Sequence, residues 1–89
     1  MACFLVETYV SRTNAEGFAR TVSDIREAAD ELRATGVRIR HVRSYAVAED
    51  ETWFHVFEAD STETVLRATT AAGIDADRVV EAVGVRSEP

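Results

Sequence analysis

Eighty-nine residues, 46 % apolar and 29 % charged, suffice for one small folded domain and are too apolar for a disordered chain. The net charge of −6, with arginine as the only basic residue type besides histidine and no basic stripe beyond Arg38, Arg40 and Arg43, argues against nucleic acid as a partner. No apolar run approaches the roughly 20 residues that span a bilayer, Glu7 interrupts any signal-peptide pattern, and the single Cys3 has no disulfide mate. A cytoplasmic protein with no membrane partner is therefore expected, with Cys3 serving as a small apolar strand residue.

In chain order, Cys3 to Val10 is apolar and rich in β-formers, and reads as a first strand. Thr13-Asn14-Ala15-Glu16 has the spacing of a capping box. Phe18, Val22, Ile25, Ala29 and Leu32 then fall on one helical stripe, with Gly36 as its C-terminal cap. Val37 to Val47 reads as a second strand, Ala48-Glu49-Asp50-Glu51 as a hairpin loop, and Thr52 to Glu58 as a third strand. Asp60, three residues ahead of Glu63, suggests the cap of a second helix, with Val65, Leu66, Thr69 and Ala72 as its apolar stripe and Gly73 as its stop. Arg78 to Val85 completes the strands. Residues 1–86 are expected to form a single domain and 87–89 a tail, with fraying from Arg86 onward.

The order βαββαβ predicts a ferredoxin-like α+β sandwich: a four-stranded antiparallel sheet ordered 4-1-3-2 with both helices on one face. Alternation along the strands assigns Phe4, Val6, Val42, Ser44, Phe54, Val56, Val80 and Ala82 to the face beneath the helices. It leaves Leu5, Glu7, Tyr9, Ile39, His41, Arg43, Tyr45, Trp53, His55, Phe57, Val79, Glu81 and Val83 on a face that nothing in the chain covers. An uncovered face this rich in aromatic and aliphatic groups predicts a homodimer packed sheet against sheet.

The candidate site lies on that uncovered face. Strands about 5 Å apart would join Glu81, Glu7, His55 and Arg43 in one row, with His41 and Tyr45 beside it as further ligand-binding candidates. Three readings of this row stay open. It could be a salt-bridge network that fixes dimer register. It could be a divalent-metal site built from Glu7, His55 and Glu81, since carboxylate and imidazole donors suit Ni, Zn or Mn. It could also be an acid–base site in which a carboxylate holds a histidine beside an arginine that binds an anionic substrate.

Several segments resemble a family of small bacterial ferredoxin-like domains whose named member is a nickel-binding protein. They are Phe4-Leu5-Val6-Glu7, Arg43-Ser44-Tyr45, Val56-Phe57-Glu58-Ala59, Ala72-Gly73-Ile74 and Ala76-Asp77-Arg78-Val79-Val80-Glu81, in order along nearly the whole chain. The resemblance implies a ferredoxin-like dimer, a possible nickel cofactor, and Glu7, Tyr45 and Glu81 as positions of interest. Members often carry His where Arg43 stands, Cys where His55 stands, His at Ala68 and Pro at Asp75. The expected function is thus a small dimeric binding protein holding a divalent metal or a small anion on its open face. The alternatives are a cofactor-independent isomerase, cyclase or oxygenase of the dimeric α+β barrel type, and a purely structural or regulatory dimer.

Overall fold

The structure, a computed structural model, describes residues 1–85 and Ser87. The strands are β1 (Ala2–Tyr9), β2 (Ile39–Val47), β3 (Thr52–Ala59) and β4 (Arg78–Ala82), and the helices are α1 (Phe18–Ala34) and α2 (Thr62–Ala71). The sheet runs β2-β3-β1-β4 with every neighbouring pair antiparallel, which is the expected ferredoxin-like order. Of the expected frayed end, Arg86, Glu88 and Pro89 lie outside the described residues.

The helices begin differently from their sequence signals. Thr13 and Asn14 belong to a short 3-10 turn capped by the Ser11 hydroxyl, and α1 starts only after Gly17, whose φ of 87° turns the chain into the helix. The capping-box spacing around Thr13 is therefore not used. In α2 the cap is Ser61 rather than Asp60: its hydroxyl accepts from the Thr64 amide at 3.2 Å. The C-terminal ends follow expectation. Gly36 (φ 94°) and Gly73 (φ 75°) each occupy a left-handed position. The next amide in each case, Val37 or Ile74, reaches back five residues to Leu32 or Thr69, closing a Schellman turn.

Both helices pack on one side of the sheet. Ile25 and Ala29 of α1 and Val65 and Ala68 of α2 join Phe4, Val6, Ile39, Phe57 and Ala59 in a single buried cluster. At the other side of the molecule Asp77 clamps β4 to β1: its amide donates to the Glu7 carbonyl at 2.9 Å, and its Oδ2 accepts from the Tyr9 amide at 2.7 Å. This clamp sets the β1–β4 register that places Arg78 opposite Glu7.

The two faces differ from the expected ones. On β1, Phe4 and Val6 do face the helices, and both are buried. On β3 the assignment is reversed, because Phe4 pairs with Phe57 and Val6 with His55, so Trp53, His55 and Phe57 point inward and Phe54 and Val56 outward. The same reversal on β4 brings Val79 and Glu81 to the helix side and Val80 and Ala82 to the open side. Ile39 and His41 also lie inward, opposite Ala59 and Phe57. Val83 and Val85 follow the end of β4 and belong to neither face; they are about 90 % exposed. The cause is that β3 and β4 carry apolar residues at both parities, so alternation alone does not choose between them. Register decides, and it follows the larger inward rings.

Phe57 sits at the centre of the cluster with no solvent exposure. Phe57→Ala is expected to cost about 3 to 5 kcal/mol of stability, read from urea denaturation, because the cavity lies between two helices and a sheet that cannot collapse onto it.

Candidate functional site

Two sets of polar side chains stand on opposite sides of the sheet. The inner set arises from an irregularity in β2. His41 pairs with Phe57, but Arg43 pairs with Val56, so Val42 is an extra residue in a β-bulge. In a regular strand, residues three apart point to opposite faces. The bulge restores parity, and His41 and Ser44 both point inward, Ser44 directly opposite His55.

There the Ser44 hydroxyl lies 2.6 Å from His55 Nδ1 and 2.8 Å from His41 Nε2. With one proton, the hydroxyl donates to one imidazole and accepts from the other, giving a directional His–Ser–His chain. The far ring atoms, His41 Nδ1 and His55 Nε2, are buried without a partner. Whichever way the chain runs, one of them is an unmatched N–H and the other an unmatched lone pair. Rings from α1 and β3 close the space: Phe18 stacks near His55 at a centroid distance of 6.5 Å and meets Trp53 edge-on at 5.1 Å, while His41 meets Phe57 edge-on at 5.5 Å.

This setting keeps both imidazoles neutral. Burial pushes His55 down to about 4, with the field of His41 adding to it. Burial also lowers His41, helped by the charge of Arg26 on α1, while the backbone of Arg43 acts weakly the other way.

The outer set is built on cross-strand rows. One row runs Arg78, Glu7, Phe54, Tyr45; the next runs Val80, Leu5, Val56, Arg43. Arg78 Nη1 is 3.3 Å from Glu7 Oε2, and the Glu7 side chain is largely shielded at 13 % exposure. Arg43 Nη1 donates to the Tyr45 hydroxyl at 3.3 Å, and that hydrogen bond holds the exposed guanidinium in its charged form. Further along the sheet, Arg40 and Glu58 pair at 2.8 Å. No helix covers the half-buried Leu5, Phe54, Val56 and Val80 between these groups.

The expected row of Glu81, Glu7, His55 and Arg43 is therefore not formed. Glu7 and His55 lie on opposite faces, and Glu81 stands exposed on the inner side at the sheet edge, opposite Phe4. The structure brings together His41 with His55 on one side and Arg43 with Tyr45 on the other, with Glu7 in the same row as Tyr45. Ser44, which joins the histidines, was not among the expected site residues. Its inward direction was readable from alternation, but its partners depend on the bulge.

The donor chemistry can be tested against nickel. Ni(II) takes a square-planar or higher set of N and O donors. The inner side offers two imidazoles and a hydroxyl, with the converging nitrogens already bonded to Ser44 and the free ones on the far sides of their rings. The outer side offers the Glu7 carboxylate, already held by Arg78, beside a guanidinium that has no lone pair. Among the described residues no three His, Cys, Asp or Glu side chains converge as a metal site. The described residues of this chain do not fit a nickel ion. A groove of about 600 Å³ lined by Leu32, Leu66 and Arg67, among others, lies on the helix layer and is separate from both sets.

A four-stranded antiparallel sheet with two helices on one face and a polar, partly apolar open face defines a ferredoxin-like α+β domain. Residues 7–82 match the model of the family described as nickel responsive protein SCO4226-like, and the chain belongs to that family. The fold is similar to the crystal structure of SCO4226 from Streptomyces coelicolor A3(2), with a TM-score of 0.78 at 16 % identity, over 96 % of this chain and 100 % of that one. A comparison with curated proteins finds no match. Among the described residues no helix is long and apolar enough to cross a membrane.

The neutral, buried His55 makes stability depend on pH. In the unfolded chain its imidazole binds a proton near pH 6.5; in the fold it resists until about pH 4. Between those values the unfolded state holds more protons, so the stability present above pH 6.5 is lost as pH falls through 4, by about 3 kcal/mol. His41 adds in the same direction. Urea midpoints are expected to fall steeply from pH 7 to 4, and His55→Gln is expected to show a shallower slope between pH 6.5 and 5. Equal slopes for the two proteins would contradict this linkage.

Proposed function

We propose that this protein is a small homodimeric binding domain that pairs sheet to sheet through its open face and takes a small anion at Arg43 and Tyr45. The observation that carries this reading is the composition of the open face: an uncovered apolar centre of Leu5, Phe54, Val56 and Val80 with the Arg43–Tyr45 pair alongside it on β2. Exposed apolar patches of this kind mark contact surfaces. Sheets packed face to face stand about 10 Å apart, which leaves room for a small ligand between them.

The anion follows from the donor inventory. Arg43 spends one N–H on the Tyr45 oxygen, which leaves the rest of its planar fork and the Tyr45 proton free to donate. A net charge of −6 repels extended polyanions, so the fitting ligand is small and held at short range. The family description speaks of nickel responsiveness. In this member the arginine on the open face favours an anion over a cation, and the buried histidine pair is already bonded to Ser44.

Light scattering over a concentration series is expected to give a dimer, and Phe54→Glu to give a folded monomer. Calorimetric titration with inorganic phosphate is expected to show binding that Arg43→Ala weakens by about tenfold or more, the worth of a charge-assisted hydrogen bond. Nickel bound at one ion per protomer with no response to phosphate would replace the anion reading with a metal one.

A further inference from the structure

The bulge in β2 leaves two ladders open to the chain. Continuing the His41–Phe57 register without the extra residue would place Val42 opposite Val56, Arg43 opposite His55 and Ser44 opposite Phe54. Arg43 would then point beneath the helices toward a buried neutral imidazole, and Tyr45 would turn inward opposite Trp53. The observed ladder does the reverse: it turns the half-buried Ser44 inward and presents Arg43 and Tyr45 outward. A one-residue slip exchanges the two faces for every side chain that follows it. On the inner side of the observed ladder the Ser44 hydroxyl ties His41, before the bulge, to His55, on the neighbouring strand.

We infer that Ser44 is a positioning residue: by bridging His41 and His55 beneath the helices, it holds the β2 bulge in the register that presents Arg43 and Tyr45 on the opposite face. This deepens the anion-binding reading and rests on it for its functional meaning, since Arg43 and Tyr45 are the groups proposed to meet the ligand. Two features make the bridge suited to the task. It spans the bulge, linking a residue on one side of Val42 to a residue on the other. Its two imidazole ends also pack against aromatic rings, His55 beside Phe18 and His41 against Phe57, so the bridge is partly withdrawn from water. The cost of burying the Arg43 guanidinium in the slipped ladder acts in the same direction.

The test uses the full chain and compares Ser44→Ala, Ser44→Thr and His41→Phe with wild type, by residue-resolved amide hydrogen exchange and by titration with inorganic phosphate. In Ser44→Ala, exchange at Val42, Arg43 and Tyr45 is expected to rise about tenfold or more relative to α2, and phosphate affinity to fall by a similar factor. Ser44→Thr keeps the hydroxyl on a β-favouring residue and is expected to restore both. His41→Phe removes the other end of the bridge while filling the ring's volume, and is expected to accelerate the same amides, which keeps the test valid if Ser44→Ala does not fold. Wild-type exchange in both Ser44→Ala and His41→Phe overturns the inference, as does failure of Ser44→Thr to restore it. If wild type binds no phosphate, the anion reading fails, and the exchange rates alone decide the positioning role.

Discussion

One extra residue in an edge strand organises this molecule. Val42 interrupts the β2–β3 ladder, and because of that interruption the two halves of β2 make different use of the sheet. Before it, Ile39 and His41 belong to the core layer. After it, Arg43 and Tyr45 belong to the open face while Ser44 returns to the interior. A β-bulge disrupts local pairing and is kept where something compensates for it. Here the compensation is the pair of short hydrogen bonds that Ser44 makes to His41 and His55.

That arrangement carries its own cost. Each imidazole buries one ring nitrogen without a partner, and an unsatisfied buried polar atom costs on the order of 1 to 3 kcal/mol. Aliphatic residues in the same places would avoid it. The domain instead keeps two neutral imidazoles under aromatic rings, in a family whose description concerns a metal ion. The histidines are lone-pair donors held uncharged, yet the hydroxyl between them occupies the nitrogens that converge. The inner side of this chain thus has a polar network of satisfied and unsatisfied atoms, and the open side has the groups proposed to meet a ligand.

Much of this was legible beforehand, and the remainder failed for a physical reason. Element order, strand pairing and the α1 stripe of Phe18, Val22, Ile25, Ala29 and Leu32 follow from periodicity and turn chemistry, and the structure repeats them. The faces of β1 are readable because Glu7 and Tyr9 alternate with Phe4 and Val6, so they differ in polarity. β3 gives no such contrast: Trp53, Phe54, Val56 and Phe57 put large apolar groups on both faces, and only pairing with β1 shows which set lies inward. The bulge was invisible for a related reason, since no glycine or proline marks it. Of the candidate site, the pairing of Arg43 with Tyr45 was within reach because the two are separated by one residue on a strand. The pairing of His41 with His55 through Ser44 required knowledge of a register shift that no local signal announces.

The position of the bulge has a consequence for how copies of this chain can meet. β2 is the outer strand of the sheet on its side, and its free edge exposes backbone groups that could template another strand. An extra residue in mid-strand breaks the even spacing of those groups and twists the edge, so a second chain cannot extend the ladder through it in register. The outward, exposed Arg43 adds a charge to that margin. Endless edge-to-edge growth is thereby discouraged on this side of the sheet, which leaves the broad open face for the proposed pairing.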